Sequence, residues 1–482
     1  FGSSQASGVP PPRGFLLRRA AKMSLVPSPC QGVGTAAFAV AGLRGAVNSP
    51  APTVEAQRCR GASAGAAVGE RWQRNLAALS AAVGTAGLLA RGVQRRAPRS
   101  RARTTRLAVL GSDEKPKKTV IITGASSGLG LATAKELAMS GEWLVIMAVR
   151  DFNKGEKVAK QNDFPKGSYQ VMHCDLAANN SVRQFVSSFQ MLGLPLDVLV
   201  CNAAVYFPNA DKEGAFLPGL FPGGGPRWSA DGHELSFATN YLGHFLLCNL
   251  LLEDLKKSKN SPPRCIILGT VTATVNSKEL GGMIPPLADV GQFEGLKQGM
   301  KGPEVTMVNG GKFSGAKAYK DSKVCDVMLM RELHKRYHAS TGISFSSLYP
   351  GCIAETNLFR EHYPVFRFLF PILQREVTQA YVSEKEAGVR LAQVVADPEY
   401  TKSGSYYTWG GASGTGGAGG KDALENSDAR KKDKFLQEGS FRTMSVDEIG
   451  GDAGDDKRCR ELWELSEKLV RGEKEGMKMP WD

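Results

Sequence analysis

The sequence predicts an α/β fold: a doubly wound, Rossmann-type parallel sheet of about seven strands in one domain. Three observations predict it. From residue 117 onward, short apolar runs alternate with amphipathic stretches of helical length. A glycine-rich turn, TGASSGLG, follows the first run and opens the first helical stretch. The alternation persists to the end of the domain, which implies parallel strands covered by helices on both faces.

The apolar runs at 119–123, 144–148, 169–173, 198–201, 265–268, 343–348 and 405–409 read as strands. Between them, 129–140, 182–191, 233–255, 318–338 and 384–395 read as helices. A last helix is expected at 460–470, where Leu462, Leu465 and Leu469 share one face. Three stretches break the alternation. Residues 205–231 carry Pro and Gly clusters, 272–317 form a long insertion before Tyr319, and 410–457 open on GGASGTGGAGG and read as a flexible insertion. One catalytic domain over 113–482 accounts for all of this.

Residues 1–112 have a different texture. They hold 16 of the 61 Lys and Arg but only two of the 47 acids, Glu55 and Glu70, so the rest of the chain carries 45 of each sign. The net charge of +14 belongs to this segment, and a neutral body excludes a nucleic-acid-binding role. An acid-poor, Arg-rich, Ala/Gly/Ser-rich leader predicts a disordered organelle-targeting peptide. Its apolar run, 76–90, is short of the roughly 20 residues a membrane span needs. Any membrane contact is therefore expected to be peripheral. Nine cysteines occur with no CxxC pair, and six histidines with no HExxH, so no metal site is predicted.

In TGASSGLG, Gly124 suits the tight turn, Gly128 the close approach of backbone to a pyrophosphate, and Gly130 close helix packing. Free N–H groups at the following helix start would face the phosphates. The spacing TGxxxGxG resembles that of the short-chain dehydrogenases. The second strand ends in VIMAVRDFNKGEK, where Arg150 and Lys154 suit a 2′-phosphate and predict NADPH. Asp151 is the competing feature, since an acid there serves NAD. The resemblance implies cofactor contacts from Thr123, Gly124, Ser126, Ser127, Gly128, Leu129 and Gly130. It extends them to Asp175 and Leu176 in HCDL and to Asn202, Ala203 and Ala204 in CNAA.

YKDSK puts Tyr319 and Lys323 four apart, on one helix face. A tyrosine with its pKa near roughly 10 is a poor proton carrier at neutral pH, and a nearby ammonium is expected to lower it. The family's other two participants map to Asn240 in TNYLGHF and to Thr270, which stands where a Ser is usual.

A narrower resemblance follows from LGTVT, GGMIPP in the insertion, KAYKDSKVC, SLYPGC, LFREHYPVFRFLFP, YVSEKEAGVRLAQVV and LWELSEKLV. These resemble the light-dependent protochlorophyllide oxidoreductases. The resemblance implies light-driven reduction of the C17=C18 bond of protochlorophyllide, with hydride from NADPH and a proton from Tyr319. It assigns Cys352 to the active site, Tyr349 to the pigment, and Pro350, Gly351 and Thr356 to the nicotinamide; Tyr319 and Lys323 also touch the cofactor. It further implies a plastid location, in the stroma or at the thylakoid surface, and admits a homo-oligomer. The composite leader suits a plastid reached through a secretory step. The aromatic run YPVFRFLFPIL reads equally as core or as an apolar lid or membrane edge. Two alternatives stay open: a retinol-dehydrogenase-like carbonyl reductase, and a protein that stores pigment and NADPH and organises membranes.

Overall fold

The central strands are buried at nearly every position because both of their faces are covered. The structure, a computed structural model, describes residues 117–208, 225–260, 262–270, 286–376, 381–410, 440–444 and 446–471. The leader and residues 209–224, 271–285, 411–439 and 472–482 lie outside these residues, and so do the expectations that fall on them.

The strands are β1 (Lys118–Thr123), β2 (Trp143–Val149), β3 (Tyr169–His173), β4 (Val198–Cys201), β5 (Arg264–Leu268), β6 (Ser344–Tyr349), β7 (Ser405–Gly410) and β8 (Ser440–Met444). All residues of β4, β5 and β6 are buried. The sheet order is β3-β2-β1-β4-β5-β6-β7-β8; β1 to β7 are parallel and β8 is antiparallel to β7. Strand β8 is a finding the sequence did not predict. It lies within 410–457, read as loop throughout, and its polar SFRTM has no alternation to mark it.

The main helices are α1 (Gly128–Met139), α2 (Phe152–Gln161), α3 (Asn179–Leu192), α4 (Gly243–Leu250), α5 (Gly315–Leu333), α6 (Pro364–Glu376), α7 (Glu384–Ala396) and α8 (Asp456–Arg471). On one face α1 packs on α7, where Gly388 is required: a Cβ there would stand 2.5 Å from the Cβ of Ala132. On the other face, α3, α4 and α5 contribute to a second core. Helix α8 seals it, with buried Trp463 against Phe245, ring centroids 4.9 Å apart, and Ser466 Oγ 2.7 Å from the Tyr241 hydroxyl.

The single helix expected at 233–255 is broken into Leu235–Phe237, a π turn at Ala238–Leu242, α4 and Leu252–Lys256. The described part of the pre-Tyr319 insertion folds onto the domain. The Asp289 amide donates to Asp321 Oδ1 of α5 at 2.8 Å, and Lys297 pairs with Glu461 of α8 at 2.7 Å. Chain winding reverses between β2-β1 and β4, which places a topological switch point at the carboxyl ends of β1 and β4. Ligands of open α/β sheets bind there. Among the described residues, no helix is long and apolar enough to cross a membrane.

Candidate active site

At that switch point lies a cleft of ≈ 480 Å³, running from the turn after β1 to the aromatic start of α6. Its floor begins with glycines that admit no side chain. Gly124 has φ +69°, and a Cβ on it would stand 3.0 Å from Ala203. Gly130 would bring a Cβ to 2.5 Å from Asn202 Nδ2 and 2.8 Å from the Gly124 carbonyl oxygen. Asn202 is fixed in turn, its Nδ2 donating to the Thr123 carbonyl at 2.8 Å. The start of α1 thus presents bare backbone N–H groups to the cleft, with Ser126, Ser127, Gly128 and Leu129 along its wall. Ser127, the N-cap, makes no side-chain capping bond. This glycine cradle fits a pyrophosphate.

Thr123 is not part of the wall. It is buried under the turn, where its hydroxyl accepts from the amides of Asn202 (2.9 Å) and Ala203 (3.0 Å). The same hydroxyl lies 2.9 Å from His244 Nε2. His244 Nδ1 faces the Asn240 carbonyl oxygen at 2.7 Å, so Nδ1 carries the proton and Nε2 accepts from Thr123. Burial pushes this imidazole down to about 3, which keeps it neutral. Thr123 thus braces the CNAA motif.

The competing acid is accounted for. Asp151 caps α2, its Oδ1 accepting from the Lys154 amide at 2.9 Å, while Arg150 and Lys154 line the cleft. Asp175 and Leu176 line it as well, and Asp175 Oδ1 holds the Ala177 amide at 3.0 Å.

Tyr319 and Lys323 both face the cleft from α5. Lys323 Nζ donates to the Leu268 carbonyl at 2.8 Å and pairs with Asp326 Oδ2 at 2.9 Å, the two side chains being 4% and 1% exposed. The expectation that Lys323 lowers the Tyr319 pKa is overturned. Burial, then the charge of Asp326 and the Cys352 thiol, push the phenol up from its usual range. With its ammonium matched by Asp326, Lys323 does not outweigh them. Tyr319 therefore holds its proton.

Asn240 sits behind the cleft wall. It does not line the cleft; its Nδ2 donates to the Val205 carbonyl and to Ser322 Oγ, both at 3.0 Å, and its Oδ1 accepts from the Val205 amide at 2.8 Å. It ties the loop after β4 to α5 from within the π turn. Thr270, Ala203, Ala204, Tyr349, Pro350, Gly351, Cys352 and Thr356 do line the cleft. Gly351, with φ +112°, would drive a Cβ to 2.5 Å from Val382. Thr356 caps the short turn Asn357–Phe359 through the Leu358 amide at 3.2 Å. Burial pushes Cys352 up to about 12 and raises Tyr349 too, so both keep their protons at neutral pH.

Of the far wall, the sequence offered the run at 363–373 as core, lid or membrane edge and did not single out Tyr206 or His362. Tyr206 lies over Tyr319, centroids 4.6 Å apart, and meets His362 edge-on at 5.2 Å. His362 stacks on Phe366 at 4.0 Å, and Phe366 on Phe370 at 4.6 Å. A further hint is the spacing of His362, just before that run, with Phe366 and Phe370 in it, every fourth position.

This strand order, this glycine cradle and the Tyr319–Lys323 helix define a short-chain dehydrogenase. The family model described as short chain dehydrogenase matches residues 118–278. Similarity to curated relatives extends further. Over 354 residues the chain is 52% identical to the chloroplastic protochlorophyllide reductase of Cucumis sativus, covering 73% of this chain and 78% of that one. It is 52% identical over 354 residues to that of Marchantia paleacea, covering 73% and 68%. To protochlorophyllide reductase A of Arabidopsis thaliana it is 50% identical over 355 residues, covering 73% and 77%. The chain belongs to the protochlorophyllide reductase family. It is an NADPH-dependent oxidoreductase of the plastid.

Proposed function

We propose that the protein reduces the C17=C18 bond of protochlorophyllide with NADPH, driven by light that the pigment absorbs. The observation that carries this reading is one continuous cleft, with a phosphate cradle at one end and stacked aromatic rings at the other, and Tyr319 between them. NADPH, when bound, supplies hydride. The cradle from Gly124 to Gly130 would hold its pyrophosphate, Arg150 and Lys154 its 2′-phosphate, and the residues from Pro350 to Thr356 its nicotinamide. The ring faces of Tyr206, His362, Phe366 and Phe370 suit a flat macrocycle.

Tyr319, protonated and close to this wall, is placed to give a proton to the second carbon. Cys352 also carries a proton and shapes the pocket beside it. Thr270 replaces the usual Ser, which suits a reacting bond that is not a carbonyl. Excitation makes the receiving carbon of the pigment electrophilic, so the protein's part is to hold the reactants in register. The test is a dark mixture of protein, NADPH and protochlorophyllide, followed by one flash. Chlorophyllide should form only after the flash; steady formation in darkness, or comparable reduction of retinal, would overturn the reading.

Cofactor choice should rest on Arg150, because Asp151 is engaged as a helix cap. Arg150→Ala is expected to weaken NADPH by roughly 1.5–3 kcal/mol through lost charge-assisted bonds, and to leave NADH nearly unchanged. Equal losses for both, in cofactor-fluorescence titrations, would show that Arg150 does not read the phosphate.

Residues 1–112 serve on this reading as the targeting leader, and 113–482 as the catalytic domain; a secretory step on the way to the plastid is the finer version. Helix α6 is proposed as the membrane contact. While His362, Phe366 and Phe370 line the cleft, Val365, Phe368, Leu369, Ile372 and Leu373 are exposed, Phe368 by 71%. An apolar patch of this kind marks a contact surface, and assembly of several copies on a membrane extends the same reading. Each large side chain is worth about 1.5 kcal/mol or more when buried in lipid. The double change Phe368→Ser with Leu369→Ser should therefore weaken co-sedimentation with anionic lipid vesicles roughly 100-fold or more. Unchanged sedimentation would remove α6 from the contact.

A further inference from the structure

We infer that Asp326 is a positioning residue for this reaction: its carboxylate fixes the Lys323 ammonium in the floor of the cleft, and turnover depends on that carboxylate staying ionised. The inference rests on the proposed roles of Tyr319 and Lys323. An ammonium has three N–H donors. Lys323 places one on the Leu268 carbonyl and one on Asp326 Oδ2, which leaves one for whatever occupies the cleft. Both members of the pair are buried, three residues apart on α5, so the geometry is set by the helix itself.

Lys323 is the sole hydrogen-bonding partner of the Asp326 carboxylate among the described residues, because Oδ1 is buried with none. The pair is therefore mutually dependent. Losing the charge on Asp326 leaves a buried ammonium with no counterion, a state it escapes by moving or by losing its proton. Asp326 also acts on Tyr319, since its negative charge helps the phenol keep the proton it is to deliver.

The surroundings set where this dependence is felt. Facing Asp326 are Lys323, Tyr319 and Cys325 on α5, Cys201 from β4 and Tyr241 from the π turn. Only Lys323 carries a charge that favours the carboxylate. Burial outweighs it and pushes Asp326 up to about 6. Above that pH the pair is intact; below it Asp326 takes a proton and the hold on Lys323 is lost.

The experiment follows NADPH affinity by cofactor fluorescence and light-driven kcat from about pH 5 to pH 8. Wild type should lose both as pH falls through about 6. Asp326→Asn should bind NADPH at least tenfold more weakly at pH 7.5, turn over at least tenfold more slowly, and show no acid limb in either profile. Asp326→Glu should restore part of both. Asp321→Asn, which removes the neighbouring buried acid also pushed up to about 6, should keep the limb. Wild-type NADPH affinity and an unchanged acid limb in Asp326→Asn would overturn the inference, as would loss of the limb in Asp321→Asn alone. If Asp326→Asn does not fold, a flat wild-type affinity profile overturns it and a limb shifted in Asp326→Glu supports it. Failure of wild type to reduce the pigment in light would instead bring down the proposed function, and the NADPH titrations would still decide for or against Asp326.

Discussion

Tyr319→Phe should bind NADPH and protochlorophyllide with near wild-type affinity and lose light-driven turnover by roughly 10²–10⁴-fold, the usual worth of a positioned proton donor. The substitution removes one oxygen and keeps the ring that lies 4.6 Å from Tyr206, so the aromatic wall and the packing of α5 should survive. What is lost is one phenolic proton of the cleft, which burial and Asp326 hold in place. Cys352, also protonated, stands nearby as a second source. Flash-induced absorbance changes with bound pigment give the readout, and pigment fluorescence gives the affinity. Turnover within a few-fold of wild type would move the donor to Cys352 or to water, and Tyr319→Phe with Cys352→Ser would then separate those two.

Gly130→Ala should be the most damaging single change in the cofactor half of the site. A methyl group there would stand 2.5 Å from Asn202 Nδ2 and 2.8 Å from the Gly124 carbonyl oxygen, and neither can yield cheaply. Asn202 is tied to the Thr123 carbonyl at 2.8 Å, and Gly124 occupies a left-handed turn against Ala203. The start of α1 must move away from the turn, which separates the two sets of backbone N–H groups meant for one pyrophosphate. The expected loss is roughly 1–3 kcal/mol of stability from overpacking, and 10–100-fold or more in NADPH affinity by the tenfold-per-1.4 kcal/mol relation. Thermal unfolding and cofactor-fluorescence titration check the two parts. Wild-type NADPH affinity in a folded Gly130→Ala protein would mean that the phosphates do not sit on this cradle.

Much of the fold was legible because it is written in short-range pattern. Each of the seven expected strands occurs within about a residue of its expected bounds, since an apolar run between turn signals marks a buried strand without help from the rest of the chain. Helix α6 was less legible. Its Phe and Leu residues surround it, one side toward the cleft and one exposed, so no polar face advertised a helix, and Pro371 lies inside it. The π turn at Ala238–Leu242 follows from Asn240 serving Val205 and Ser322 at once, and both partners are remote in sequence.

The sequence by itself determined the parallel sheet, the glycine cradle, the Tyr319–Lys323 face and the confinement of the net positive charge to residues 1–112. All of these depend on spacing or composition along the chain. The tertiary structure alone decided what those residues are in chemical terms. It made Asp151 a helix cap and Thr123 and Asn240 braces, and pushed the Tyr319 phenol up from its usual range. It gathered Cys201, Cys248 and Cys265 into one buried cluster, with Sγ–Sγ distances of 3.5 and 3.6 Å, although no two are close in sequence. It also closed a cleft with Tyr206 from one loop and His362 from another. The physical reason is common to all of these. A proton's affinity and a hydrogen bond's partner depend on burial and on neighbours within a few ångströms, and long-range packing supplies both.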